Sequence, residues 1–509
     1  MRNQILSTII PLVSASTVIR SASSQRECSS GVIDPPEIYG ASILSIKATQ
    51  ATLRSTSTTF CNITIDYTHP GQDDHIVVWL GLPDKWNGRF QGVGGGGYAT
   101  GEPSRMEPAI SKGYATVGTN GGHLISAAPA SWGLASPGNV NLYNLQNFAS
   151  VALHDMTVMG KKITESYYGR AITKSYWYGC STGGRQGLMM AQRYPDAYDG
   201  ILAEAPAINW AQFVPAEFWP QLAMKLVGYI PTQCELTAIT EAAIEACDEL
   251  DGLKDGIVSL WGQCNFDAVS AVGKSYNCTG GISGIVSNKA AKLAQKIWEG
   301  PRDAHGKFQW YGLSPGTPLG RLSNTTLTPS GTLSAGPPFG TASAWISIFV
   351  KANETFDPYS LTQETWDEAW QNSGNRYDSI IGTKDADLSL FKRNGGKIIT
   401  WHGVADPLIF INGSVNYYER IGAIDAHVTD FYRFFSAPGV GHCSGGNGAA
   451  PSRALDQLVD WVESGNAPAT LQANSTVQGK RWDRNLCLFP AMSIYKGGDP
   501  SSADSYTCK

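Results

Sequence analysis

A serine framed by glycines, Gly179-Cys180-Ser181-Thr182-Gly183, stands between an apolar, strand-like run at residues 175–178 and a helix-like stretch at 185–193. A chain that leaves a strand and enters a helix within so few residues must turn very tightly. Positions two residues either side of the turn's centre then have no room for side chains, which is why glycine belongs at 179 and 183. The turn lifts the serine hydroxyl above a sheet edge and sets it at a helix N-terminus, where the peptide dipoles favour developing negative charge. A glycine-rich serine turn can also cradle phosphate, but no Gly-Lys-Ser/Thr follows.

The strand, turn and helix around Ser181 repeat a rhythm seen along the first two hundred residues. Strand candidates lie at 75–80, 89–93 and 114–119, and residues 144–168 read as one helix with Phe148, Val151, Ala152 and Asp155 at helical spacing. Strand signals return at 397–401 and 431–435, and 453–464 forms a last amphipathic helix with Leu455, Leu458, Val459 and Val462 inward. This alternation predicts an α/β fold: an α/β-hydrolase core with a mostly parallel sheet covered by helices. Residues 207–394 break the rhythm and hold four of the ten cysteines, so they read as a large inserted lid. The core is then 23–206 together with 395–509.

A serine hydroxyl attacks only when a base removes its proton, and in this fold the acid and then the histidine follow the serine in chain order. His442, in the glycine-rich loop Pro438-Gly439-Val440-Gly441-His442-Cys443, is the candidate base. His402 ends a strand and reads as structural support, His305 lies in the insertion, and His427 is a further histidine near a sheet end. Asp406, in Trp401-His402-Gly403-Val404-Ala405-Asp406-Pro407, is the candidate acid, with Asp425 and Asp430 as alternatives. Thr182 should supply one oxyanion-hole N–H. The second should come from the glycine run at 94–97, with Gly94 and Gly95 the first candidates. If Ser181 and His442 meet, Cys180 and Cys443 are drawn together, and a disulfide between them would tie the two arms.

The first residues, Met1-Arg2-Asn3-Gln4 followed by an apolar run to Val18, read as a signal peptide ending near residue 22; a buried first helix is the alternative. No later apolar run is long enough to span a bilayer. Ten cysteines with no CxxC pair point to five disulfides in an oxidising compartment rather than zinc. Sequons begin at Asn62, Asn277, Asn324, Asn353, Asn412 and Asn474. A net charge of −5 offers no basic surface for nucleic acid. A secreted, extracellular product is expected, without membrane or nucleic-acid partners and of undetermined oligomeric state.

The Gly-Cys-Ser-Thr-Gly-Gly turn, the His-Gly-Val-Ala-Asp-Pro segment and the Gly-His-Cys ending resemble the fungal tannase and feruloyl esterase family across nearly the whole mature chain. The resemblance implies a serine carboxylesterase with Ser181, Asp406 and His442 as its triad and Cys180–Cys443 as its disulfide. It implies phenolic ester substrates: feruloyl and other hydroxycinnamoyl groups on plant polysaccharides, or galloyl groups in tannins. Phe213, Phe218, Trp219 and Trp345 would suit a flat aromatic acid, or would be lid core. An inactive binding protein on the same fold is the rival class. Residues 247–257, Cys-Asp-Glu-Leu-Asp-Gly-Leu-Lys-Asp-Gly-Ile, are oxygen-rich but not an EF-hand. They resemble the family's structural calcium loop, which would use the side chains of Asp248, Asp251 and Asp255 and the carbonyls of Leu253 and Ile257. Cys247 and Cys264 bracket it and would close it; an Asp/Gly surface turn is the plainer alternative.

Overall fold

The computed structural model describes residues 27–126, 128–278, 283–328 and 332–509. The expected signal segment lies outside the described residues. A nine-stranded sheet organises the chain: β1 (Ser42–Thr52), β2 (Thr59–Thr68), β3 (Ile76–Pro83), β4 (Arg89–Val93), β5 (Ala115–Thr119), β6 (Lys174–Cys180), β7 (Gly200–Glu204), β8 (Lys397–Gly403) and β9 (Tyr432–Ala437). Its spatial order is β1-β2-β3-β5-β4-β6-β7-β8-β9. The first three strands are antiparallel to their neighbours, and the six from β5 to β9 run parallel. The parallel strands are covered on both faces, so β5 and β7 are buried at every residue. In β2 the buried set alternates, Ile63, Ile65 and Tyr67 facing the core. The β1–β2 hairpin, pinned by the Cys28–Cys61 disulfide, was not read from the sequence: most of β1 is exposed and carries no clean apolar alternation.

The helix expected at 144–168 is two helices, α1 (Leu142–Ala149) and α2 (Val151–Tyr168). Ser150 separates them with extended φ of −162° and ψ of −35°. The fully buried Arg185 explains the break. Its guanidinium donates to the carbonyls of Phe148 and Ala149 at 3.2 and 3.0 Å, capping α1 from outside. A cation at a helix C-terminus is also favoured by the dipole. Asp155 does point inward, but into a polar cluster rather than an apolar one. Its Oδ2 meets Tyr67 Oη and His69 Nε2, each at 3.0 Å, and His69 Nδ1 meets Asp74 at 2.6 Å.

After β6 the chain bends at Ser181 into α3 (Thr182–Arg193). Between β7 and β8 it builds α4 (Trp210–Ala216), α5 (Trp219–Val227), α6 (Gln233–Cys247) and α7 (Gln363–Ile381) around a separate apolar cluster that includes Phe218, Trp219, Trp345 and Trp366. Two disulfides, Cys234–Cys278 and Cys247–Cys264, lie within this stretch of chain between β7 and β8. The chain then returns through β8, α8 (Ile411–Ile424), β9 and α9 (Ala454–Ser464). On α9 the deeply buried residues are Ala454, Leu458 and Trp461, while Leu455, Val459 and Val462 pack at the margin. A hairpin of Thr470–Val477 and Lys480–Cys487, followed by the Cys487–Cys508 disulfide, closes the chain. Among the described residues no helix is long and apolar enough to cross a membrane.

Candidate active site

The bend at 179–183 has the steric demand its sequence announces. Ser181 takes φ 62° and ψ −124°, a left-handed backbone that a non-glycine residue adopts at a cost of about 1–3 kcal/mol. A Cβ on Gly179 would lie 2.5 Å from the Gly183 carbonyl carbon, so a side chain there would push the strand off the helix. The strain is held by bonds on every side. Ser181 N–H donates to Glu204 O, Ala207 N–H and Arg185 N–H donate to Ser181 O, and Trp177 Nε1 donates to Gly183 O. The serine thereby reaches a cavity of about 280 Å³ whose wall includes Ser181, Thr182, His442, Cys180 and Cys443.

His442 and Asp406 arrive from the ends of the two strands that complete the sheet. Asp406 follows β8 and His442 follows β9, and the two loops are tied by Ala405 N–H donating to Val440 O at 3.0 Å. His442 Nδ1 sits 2.8 Å from Asp406 Oδ2. Asp406 Oδ1 accepts from the N–H groups of Leu408 and Ile409, fixing the carboxylate's orientation. Burial alone would push this carboxyl up, but the charge and hydrogen bonds of His442 and His402 outweigh it and hold it well below the usual carboxylate range. His402 is fully buried, with Nδ1 at 2.9 Å from Ser414 Oγ, Nε2 at 3.1 Å from Ile409 O and 3.3 Å from Asp406 Oδ2. It braces the Asp406 loop. The alternatives lie elsewhere: Asp425 pairs with Lys392, and Asp430, His305 and His427 are exposed.

Cys180 and Cys443 are bonded, with Cα atoms 6.0 Å apart at a sequence separation of 263. The bond joins the residue before Ser181 to the residue after His442. Cys443, like Ser181, has positive φ (61°), so both arms reach the bond from unusual backbone.

The glycine run divides into two pairs. Gly94 N–H donates to Tyr178 O and Gly95 N–H to Gln186 Oε1, so neither of the two expected oxyanion donors is free to face the cavity. Gly96 and Gly97 line it instead. The loop is clamped to α3 by Gly183 N–H on Gly95 O and Thr182 Oγ1 on Gly97 O. Thr182 is the first residue of α3, where the N–H has no partner within the helix.

The aromatic set also changes. Phe213 lines the cavity, but Phe218, Trp219 and Trp345 are core: Trp219 Nε1 donates to Lys296 O and Trp345 Nε1 to Ser373 Oγ. The aromatic walls come from Phe213 with Trp210 and Phe339, joined by Arg105, Arg321 and Glu217, which were not read from the sequence. Glu217 had a signal. It is the one carboxylate in the apolar run Phe213-Val214-Pro215-Ala216-Glu217-Phe218-Trp219. A second, larger cleft of about 680 Å³ shares His442 and Arg321 with the first and is lined by Gln233, Thr237, Glu241 and Asn447.

In the oxygen-rich loop, Cys247–Cys264 closes the bracket. Both Asp248 oxygens accept backbone N–H groups, from Asp255, Gly256 and Ile257. Asp255 Oδ2 receives Arg484 at 2.8 Å, while the buried Asp251 Oδ2 has no partner. Burial pushes the carboxyls of Asp251 and Asp255 up. Among the described residues no three His, Cys, Asp or Glu side chains form a metal-binding group, so any cation here would lean on main-chain carbonyls. The orphaned, buried oxygen fits a cation better than it fits a solvated turn.

With this geometry in place, similarity to known proteins is informative. Residues 61–509 match the family described as tannase and feruloyl esterase. A protein of Arthroderma benhamiae named probable feruloyl esterase is 41% identical over 530 residues, covering 99% of this chain and 98% of its own. A tannase of Aspergillus oryzae is 29% identical, covering 89% of this chain and 87% of that one. Among solved structures, tannin acyl hydrolase from Aspergillus niger superposes with a TM-score of 0.86 at 27% identity, covering 95% of each chain. Feruloyl esterase B from Aspergillus oryzae gives 0.79 at 26% identity, covering 93% and 97%. An elbow serine, a hydrogen-bonded acid and histidine, and similarity along the whole fold lead to one assignment: the chain belongs to the tannase and feruloyl esterase family of carboxylic ester hydrolases.

Proposed function

We propose that this chain is a secreted serine esterase that cleaves feruloyl and related hydroxycinnamoyl esters of plant cell-wall polysaccharides through an acyl-enzyme on Ser181. The observation that carries the reading is the 2.8 Å Asp406–His442 contact, tied by the Cys180–Cys443 bond to the elbow that presents Ser181. His442 takes the Ser181 proton, the alkoxide adds to the ester carbonyl, and the oxyanion rests on the N–H of Thr182 and one from the loop at Gly96 and Gly97. His442 then gives the proton to the leaving alcohol, and a water activated by the same imidazole releases the acid. Asp406 orients the ring and balances the imidazolium charge.

The aromatic acid occupies the small cavity between Trp210, Phe213 and Phe339, and the sugar side of the ester takes the larger cleft, whose amide, hydroxyl and carboxylate groups suit an alcohol-rich partner. The 41% identical relative named probable feruloyl esterase favours this branch. A galloyl-ester reading draws support from the higher TM-score with tannin acyl hydrolase. Rates on methyl ferulate and methyl gallate, measured side by side with Ser181→Ala as control, decide between them. Near-normal turnover by the serine variant defeats both. Failure of a fluorophosphonate to label Ser181 would favour an inactive binding protein.

Residues 207–394 act as a lid on a core of 23–206 and 395–509. Five disulfides and the apolar start of the chain support export to an oxidising space. Calcium would be held by the unpartnered oxygen of Asp251 together with main-chain carbonyls such as those of Leu253 and Ile257, because both Asp248 oxygens accept backbone N–H groups and Asp255 pairs with Arg484. Its contribution would be structural, offsetting the crowding of three buried or half-buried carboxylates.

A further inference from the structure

Glu217 is, with Arg105 and Arg321, one of the ionisable groups in the small cavity that the hydrolytic steps leave unused, and it is the most deeply buried carboxyl there. It caps the C-terminus of α4, with its N–H on Phe213 O, and its side chain enters the wall that also holds Ser181 and His442. The residue is only 2% exposed, and its buried Oε2 has no hydrogen-bond partner. A buried polar atom without a partner destabilises the folded chain, so one retained beside a ligand cavity calls for a ligand that satisfies it. In the same wall Phe213, Phe339 and Leu408 are apolar, and none of the polar groups there, the Trp210 indole N–H, Arg105 and Arg321 among them, bonds that oxygen.

The protonation state narrows what that ligand can be. Burial and the negative charge of Asp406 both push the Glu217 carboxyl far above its ordinary range. A neutral carboxyl donates through its O–H and accepts at its carbonyl oxygen. A phenolic hydroxyl matches both functions, whereas an unsubstituted ring matches neither.

We propose that Glu217 is a specificity-determining residue that hydrogen-bonds a hydroxyl carried by the aromatic ring of the ester's acid portion. This rests on the phenolic-ester reading above and adds the group that enforces it. A site built to hydrogen-bond a substrate hydroxyl rejects the analogue lacking it, because the site's own polar group is then buried unpaired.

The test compares kcat/KM for methyl 4-hydroxycinnamate and methyl cinnamate in the native enzyme, in Glu217→Gln and in Glu217→Leu, with thermal melts as a folding check. The native enzyme should prefer the hydroxylated ester by about 100-fold or more. Leucine should collapse that preference to within about threefold, while glutamine, which keeps a donor and an acceptor, should retain most of it. A leucine variant that folds and keeps the native preference overturns the proposal. A native preference near unity does so without any variant, and covers the case in which leucine fails to fold. Native enzyme that cleaves 4-nitrophenyl acetate but neither aromatic ester defeats the phenolic-ester reading itself, and this inference with it.

Discussion

Asp406 Oδ2 meets His442 Nδ1 at 2.8 Å, so the imidazole's other nitrogen, Nε2, is left to serve the reaction. The carboxylate is buried and held ionised by its two histidines. Asparagine at 406 would keep the shape, remove the charge, and be able to favour the wrong tautomer of the ring. Asp406→Asn should therefore lower kcat by about 10⁴ with little change in KM, measured on methyl ferulate. A drop of less than about tenfold would remove Asp406 from the triad.

The elbow and the imidazole arm are joined by Cys180–Cys443. Replacing both with serine should cost about 2–5 kcal/mol of stability in denaturant titrations. Activity should fall further than stability does, because each cysteine neighbours a reacting residue. Compared at a temperature where the variant is fully folded, kcat reports that positional loss. Native kcat under those conditions would make the bond a fastener and nothing more.

Outside the cavity lining, His69 lies between Asp74 and Asp155, and its titration is raised to about 9, led by its hydrogen bond to Asp155 and against the opposing effect of burial. A histidine raised in the fold contributes stability that is complete below its unfolded value near 6.5 and fades as pH rises through 9. Both Asp74 and Asp155 are lowered despite burial, Asp74 chiefly by hydrogen bonds from His69 and Asp155 by those from His154, His69 and Tyr67, so their contribution is complete above their unfolded value and fades on acidification. The native melting temperature should thus fall between pH 6.5 and 9. His69→Gln should be less stable at pH 6 and flatter across that interval. Parallel curves for the two proteins would assign the slope to other groups.

The parts of this architecture legible in the sequence were those with a local cause. Ser181 announced its turn because glycine at 179 and 183 is a steric necessity there. Five of the six parallel strands, β4, β5, β6, β8 and β9, show in the sequence as short apolar runs because they are covered on both faces, whereas β7 (Gly200–Glu204), lodged between α3 and the insertion, was not read there. The features with no local signature depend on distant partners. The helix break at Ser150 is set by Arg185, and no pattern within 144–168 encodes it. Phe218, Trp219 and Trp345 carry the same aromatic signal as Phe213, yet only the packing decides which faces the cavity. Gly94 and Gly95 looked equivalent to Gly96 and Gly97 until Tyr178 O and Gln186 Oε1 claimed their N–H groups.

The loop at 247–257 makes a prediction in which proton and cation compete. Asp251 and Asp255 are raised by burial, so ionising them costs stability at neutral pH unless a cation compensates. Added calcium should raise the melting temperature near pH 7, and the gain should shrink as acid neutralises the carboxylates. Asp251→Asn should remove most of the calcium response, since Asp251 holds the orphaned oxygen. An unchanged melt with millimolar calcium and with chelator would return the loop to an ordinary turn.

The long excursion between β7 and β8 supplies Trp210, Phe213, Glu217 and Phe339 to the cavity, while Ser181, Asp406 and His442 all come from outside it. The reacting residues and the aromatic wall are therefore encoded in separate stretches of the gene, although Arg105, Leu408 and Ile409 join that wall from the core. Exchanging that one contiguous cassette between relatives should change the acyl preference while leaving the nucleophile, acid and base in place, which rates of the chimaera on methyl ferulate and methyl gallate would check.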